Sequence, residues 1–226
     1  MPYASGRSTR PAAALAVIVV VFLAYSLPPY LTGGTRVPST FGLHYPLLVA
    51  HVLLASVAMV GAVAQIWPGL RHRHPALHRR TGRVYVATAI PAAVCAMVIG
   101  AATPFGPILR VSDVALGALW LWFTVDGFVA ARHRRFGVHR RQMLRSATLA
   151  LSIITNRIWT PVLYLTFDPL RDSIFGGFGD SEEKYLWVVA GAGAWLGWTI
   201  PLLGLQLWLS RQAARTRARP PSLSGV

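Results

Sequence analysis

Long apolar runs, almost free of charge, recur six times along the chain. The first covers about residues 11–31 and contains Ala14-Leu15-Ala16-Val17-Ile18-Val19-Val20-Val21-Phe22-Leu23. The others cover about residues 45–67, 84–103, 111–131, 147–167 and 185–210. Their apolar residues do not alternate with polar ones, as the strands of a membrane barrel would over about ten positions. They surround the whole helical circumference, which is the pattern of a helix in lipid. About 20 residues of helix span a hydrocarbon core about 30 Å thick. The pattern therefore predicts an all-α, six-span transmembrane bundle over residues 11–210, with tails at 1–10 and 211–226. Pro28 and Pro29 are expected to end the first helix at its outer end. No small-x-small cleavage site follows that helix, so it is read as a retained span and not a signal peptide.

Composition supports the change of solvent. Hydrophobic residues make up 54% of the chain and charged ones 13%, with a mean hydropathy of +0.49. Soluble domains carry about a quarter charged residues. The net charge of +15 raises the question of nucleic acid. The placement of the charges argues against it. Arg7 and Arg10 precede the first run, five arginines lie between the second and third, and six between the fourth and fifth. Four more follow the sixth. That places 17 basic residues on one side, against Arg36, Arg110, Arg171 and Lys184 on the other. This bias predicts both termini on the cytoplasmic side of a cell membrane. Arg79, Arg80, Arg83, Arg140, Arg141 and Arg145 then become candidate contacts for anionic lipid head groups. The single cysteine, Cys95, lies inside the third run and is expected to act as a small hydrophobe.

The basic loops resemble each other. Residues 71–80 read Arg-His-Arg-His-Pro-Ala-Leu-His-Arg-Arg and residues 132–141 read Arg-His-Arg-Arg-Phe-Gly-Val-His-Arg-Arg, six identities in ten at an offset of 61. Two similarly composed loops would look alike, but the matched His-Arg-Arg placement suggests two parallel hairpin repeats, about 45–103 and 111–167. Together they would form a four-helix core flanked by the first and sixth spans. Gly193 and Gly197 in the sixth span would permit close helix packing.

Polar groups within the spans are costly and often functional. His44 and His51 share a helix face, and Gln65 lies near the inner end of the same helix. Asp113 and Asp126 lie on the fourth span, Asn156 and Arg157 midway along the fifth. Arg157 is expected to face the bundle interior or a wet cavity. There it would anchor an anionic group, such as a haem propionate, a carboxylate or a lipid phosphate, or pair structurally with a helix carbonyl or Asp113. Asp126 is expected to meet Gln65 or the basic residues near Arg83 in a structural pair. His78 and His139 are equivalent under the repeat. Facing each other, they could ligate haem b axially through neutral imidazole nitrogens. As the plainer alternative, they are interface residues at the starts of their helices. His72, His74 and His133 read as solvated. No nucleophile elbow, phosphate loop, His-Glu-x-x-His or Cys-x-x-Cys motif occurs, so no catalytic residue is assigned.

The residues Leu77-His78-Arg79-Arg80-Thr81-Gly82-Arg83-Val84-Tyr85, with His51 and Gln65 before them, are similar to a bacterial family of predicted membrane proteins. That family is domain-of-unknown-function family 2306. His139-Arg140-Arg141-Gln142-Met143-Leu144-Arg145 and Asn156-Arg157 extend the resemblance, which covers roughly residues 44–165. It implies a fold and topology, not an activity. Two readings stand. One is a membrane protein that binds haem, a quinone or another small ligand through His51, Gln65, His78, His139, Asn156 and Arg157. The other is a non-enzymatic accessory subunit with a membrane-protein partner, or a small transporter.

Overall fold

The computed structural model describes residues 9–67, 69–176 and 181–217. Arg7, Asp180 and Arg219, and the side chains of Arg71 and His72, lie outside what is described. The described residues are mostly helical and contain no strand, because a backbone in hydrocarbon must satisfy its own polar groups. In chain order the helices are α1 (Arg10–Ser26), α2 (Pro28–Leu31), α3 (His44–Ile66), α4 (Leu70–Arg73) and α5 (Pro75–Ala101). Then come α6 (Pro107–Arg132), α7 (Phe136–Phe167), α8 (Arg171–Phe175) and α9 (Ser181–Arg217).

Four of them, α3, α5, α6 and α9, are long and apolar enough to cross a membrane. Helix α1 is apolar but has 17 residues, and α7 has 32 residues diluted by serines, threonines, Asn156 and Arg157. The helices overrun the apolar runs on the basic side. Helix α5 begins at Pro75 and α7 at Phe136, so the His-Arg-Arg segments are first turns of helices, not loops. Helix α9 runs to Arg217, so part of the expected basic tail is helical. Pro91, Pro161 and Pro201 lie within continuous helices.

Helices α3, α5, α6 and α7 pack in sequence around a ring that α3 and α7 close by a lighter contact. Helix α9 lies in the groove between α6 and α7, and α1 rests on α3. The core is built largely from alanine: Ala58, Ala62, Ala89, Ala92, Ala93 and Ala147 are buried. Small side chains bring helices close where lipid provides no hydrophobic drive for association. Gly193 and Gly197 act this way. A Cβ on Gly197 would sit 2.8 Å from Asn156 Cβ, and one on Gly193 only 2.5 Å from Thr160 Oγ1. Many large apolar residues point outward, among them Val20, Trp122, Leu165 and Leu203. In a bilayer that outer surface meets acyl chains.

Candidate functional site

The polar groups fall at three levels. At the basic end, the Gln65 amide of α3 donates to the Thr81 hydroxyl and, at 3.0 Å, to the His78 carbonyl of α5. On the other hairpin, the Gln142 amide of α7 donates to the Asp126 carboxylate of α6. Both side-chain pairs join residues 16 apart, and each member of one lies 61 positions from its counterpart in the other. Asp126 therefore does not meet Gln65 or Arg83 as expected; its partner comes from its own hairpin. The link continues, because Arg145 Nη1 donates to Gln142 Oε1 at 2.6 Å, and its Nε and Nη2 each reach Gln206 Oε1 at 3.0 Å. Arg145 also lies over the Phe123 ring at 5.5 Å. It is thus engaged in tying α6, α7 and α9 together, whereas Arg79, Arg80, Arg83, Arg140 and Arg141 are exposed.

His78 and His139 are half-buried at the starts of α5 and α7. The Gly127 carbonyl accepts from His139 Nδ1 at 2.8 Å, which ties that ring to α6 of its own hairpin. His51 does the same across the other hairpin, donating from Nδ1 to the Ala92 carbonyl at 2.8 Å. A carbonyl can only accept, so Nδ1 carries a proton in both rings, and in the neutral form of each the lone pair lies on Nε2. Among the described residues no three His, Cys, Asp or Glu side chains gather as metal ligands. His74 and His133 are exposed.

In the middle of the ring lies a hydroxyl network that the sequence pattern alone did not reveal. Trp120 Nε1 donates to Tyr85 Oη at 3.2 Å, and Tyr85 Oη lies 2.6 Å from Ser146 Oγ. Ser146 Oγ lies 2.7 Å from Thr124 Oγ1, which donates to the Trp120 carbonyl at 2.7 Å. With each hydroxyl donating once and accepting once, the circuit returns to the tryptophan where it began. All four side chains are buried. Such a closed set satisfies itself and leaves no group for a ligand. One signal existed: Tyr85 and Ser146 are also 61 apart.

Toward the end opposite the basic segments, His44 is buried and its Nδ1 accepts from the Thr40 backbone N–H at 3.1 Å. The Thr40 hydroxyl lies 2.8 Å from the Ala102 carbonyl, pinning the loop before α3 to the end of α5. Trp198 Nε1 donates to Ser112 Oγ at 3.0 Å. Asp113 packs against Gly100, where a Cβ would come within 2.5 Å of its own Cβ; it does not pair with Arg157. Asn156 Oδ1 accepts from Thr160 at 2.9 Å and faces α9.

Arg157, one residue on, is turned about 100° away. The expectation is that it faces the bundle interior or a wet cavity; it is exposed on the outer surface of α7, and no described residue pairs with it. Ile153 and Ile154, one turn nearer the basic end on the same face, pack against Val19, Met59 and Val63. Arg157 thus stands just outward of the junction of α1, α3 and α7.

No curated protein and no solved structure matches this chain. A family model does match, over residues 48–176, and takes in both hairpins, the two His-Arg-Arg segments and Arg157. The chain belongs to domain-of-unknown-function family 2306, the predicted membrane proteins.

Proposed function

We propose that this protein is a six-span protein of the cell membrane with both termini cytoplasmic, and that it binds a lipid-soluble ligand with an anionic or carbonyl head group beside Arg157. One observation carries the ligand reading: Arg157 is exposed midway along the apolar run 147–167 of α7, without a partner among the described residues. An unpaired guanidinium at that depth costs at least about 3 kcal/mol. Its five donors suit a carboxylate, a propionate or a quinone carbonyl. His51, whose Nδ1 is held by the Ala92 carbonyl, offers its Nε2 as a second candidate ligand group. Gln65 and Asn156 are occupied in helix–helix contacts and take supporting roles.

Haem and quinones are the ligand classes to test. In lipid nanodiscs, titration with a short-chain quinone is expected to give saturable binding. Arg157→Gln should weaken it tenfold or more, since hydrogen bonds to a charged group contribute about 1.5–3 kcal/mol. A Soret band in protein purified from haem-supplied cells, lost in His51→Ala, His78→Ala or His139→Ala, would identify the ligand as haem. Absence of binding by both classes sinks the ligand reading.

A second reading has its own observation. Ile158, Val162 and Leu165 surround Arg157 with exposed apolar surface, and Leu165 is 73% exposed. An accessory subunit would bury this face against another membrane protein, with a partner carboxylate on Arg157. Photocrosslinking from position 165 in native membranes distinguishes the two, because only a subunit gives a discrete protein adduct.

A further inference from the structure

Two grooves flank the inner half of α3. The first, about 310 Å³, lies between α1 and α3 and is lined by Val19, Val63 and Trp67 among others. The second, about 210 Å³, lies between α3 and α5 and is lined by Val57, Gly61, Thr81, Val84 and Arg80. Val60 and Ala64 line both, so the grooves are separated only by one ridge of α3. Gly61 makes the second groove shallow-floored, because α5 approaches so closely that a Cβ there would lie 3.2 Å from Tyr85 Cβ. The walls are apolar over their length. Among the described residues, the only charged side chain in either lining is Arg80, which stands at the basic end of α5 where the helix leaves the apolar run.

The geometry points to a seat for one anionic phospholipid, with an acyl chain in each groove astride the Val60–Ala64 ridge and the phosphate on Arg80. Two neighbouring apolar grooves, the second of them lined by a cation, match the charge and shape of a diacyl lipid, and a free anion would leave both grooves unfilled. An exposed arginine at the membrane surface attracts anionic lipid broadly. The grooves convert that attraction into a fixed position. The seat depends on the chain lying in a bilayer and is independent of any ligand at Arg157.

The test uses full-length protein in nanodiscs made from equal amounts of phosphatidylglycerol and phosphatidylcholine with identical chains, followed by native mass spectrometry of the lipids retained. Wild type should keep one phosphatidylglycerol in preference to phosphatidylcholine by about fivefold, the effect of one cation at the surface. Arg80→Gln should lose that preference. Arg79→Gln, one position away and outside both grooves, should keep it. Val60→Trp, at an outward-facing site, should fill the grooves and reduce retention of either lipid without disturbing the core. Equal losses in Arg79→Gln and Arg80→Gln would mean diffuse attraction and overturn the seat. So would retention unchanged by Val60→Trp, or equal thermal stabilisation of the detergent-solubilised protein by glycerol phosphate.

Discussion

Tyr85 shows how much one hydroxyl carries when it cannot be replaced by water. Tyr85→Phe keeps the ring and removes the oxygen that accepts from Trp120 and meets Ser146. The indole N–H then stays buried without an acceptor, and the serine loses a neighbour. A cost of about 1–3 kcal/mol is expected, read as a lower thermal midpoint by tryptophan fluorescence in detergent. Ser146→Ala should cost a similar amount, and the double variant less than the sum, because both break the same circuit. Arg157→Gln should behave in the opposite way. It removes a charge that no described residue uses, so the midpoint should stay the same or rise while ligand or partner binding falls. A large loss of stability in that variant would mean that the guanidinium has a structural partner after all.

Each hairpin carries a glutamine latch at its basic end, and the two latches differ in charge. Gln65→Ala breaks a neutral contact, for which about 0.5–1.5 kcal/mol is expected. Gln142→Ala strands the Asp126 carboxylate and frees Arg145 Nη1, so it should cost more, about 1.5–3 kcal/mol. Equal midpoints for the two variants would contradict the geometry of the second latch. The α7–α9 pair offers a steric test. Gly197→Leu would drive a side chain into Asn156 Cβ and the α7 backbone, against an approach that a Cβ alone would reduce to 2.8 Å. Overpacking of this kind costs about 1–3 kcal/mol, and here it should also loosen α9 enough to raise proteolysis at its ends. The latches were half legible in the sequence. Gln65 and Asp126 were recognisable as unusual, but their partners depended on how far the helices extend through the basic segments, which hydropathy does not mark.

For the whole molecule the test is topology, and it turns on α1 and α7, the two helices that fall short of a plain membrane span. On a background with Cys95→Ala, a cysteine replacing Ser39 or Asp172 should react with a membrane-impermeant maleimide from outside intact cells. A cysteine replacing His133 or Thr216 should react only after permeabilisation. Asp172 and His133 bracket α7, so labelling of both from the same side would show that α7 does not cross. The expected result follows from the arginine bias, since moving the basic segments outward opposes the positive-inside preference.

Hydropathy by itself determined that this chain is a set of membrane helices, because its long runs are apolar on every face and lack the alternation of a barrel strand. The placement of arginine supplied a direction. The recurring His-Arg-Arg segment suggested two hairpin repeats, and in the structure α3, α5, α6 and α7 pack as an alanine-rich ring. Tertiary structure alone decided which way each polar side chain turns. A rotation of one residue separates Asn156, held against α9, from Arg157, exposed on the outer face of the bundle. Helices that are apolar on every face carry no pattern to reveal that difference. It is set by where a neighbour's glycine lets another helix approach.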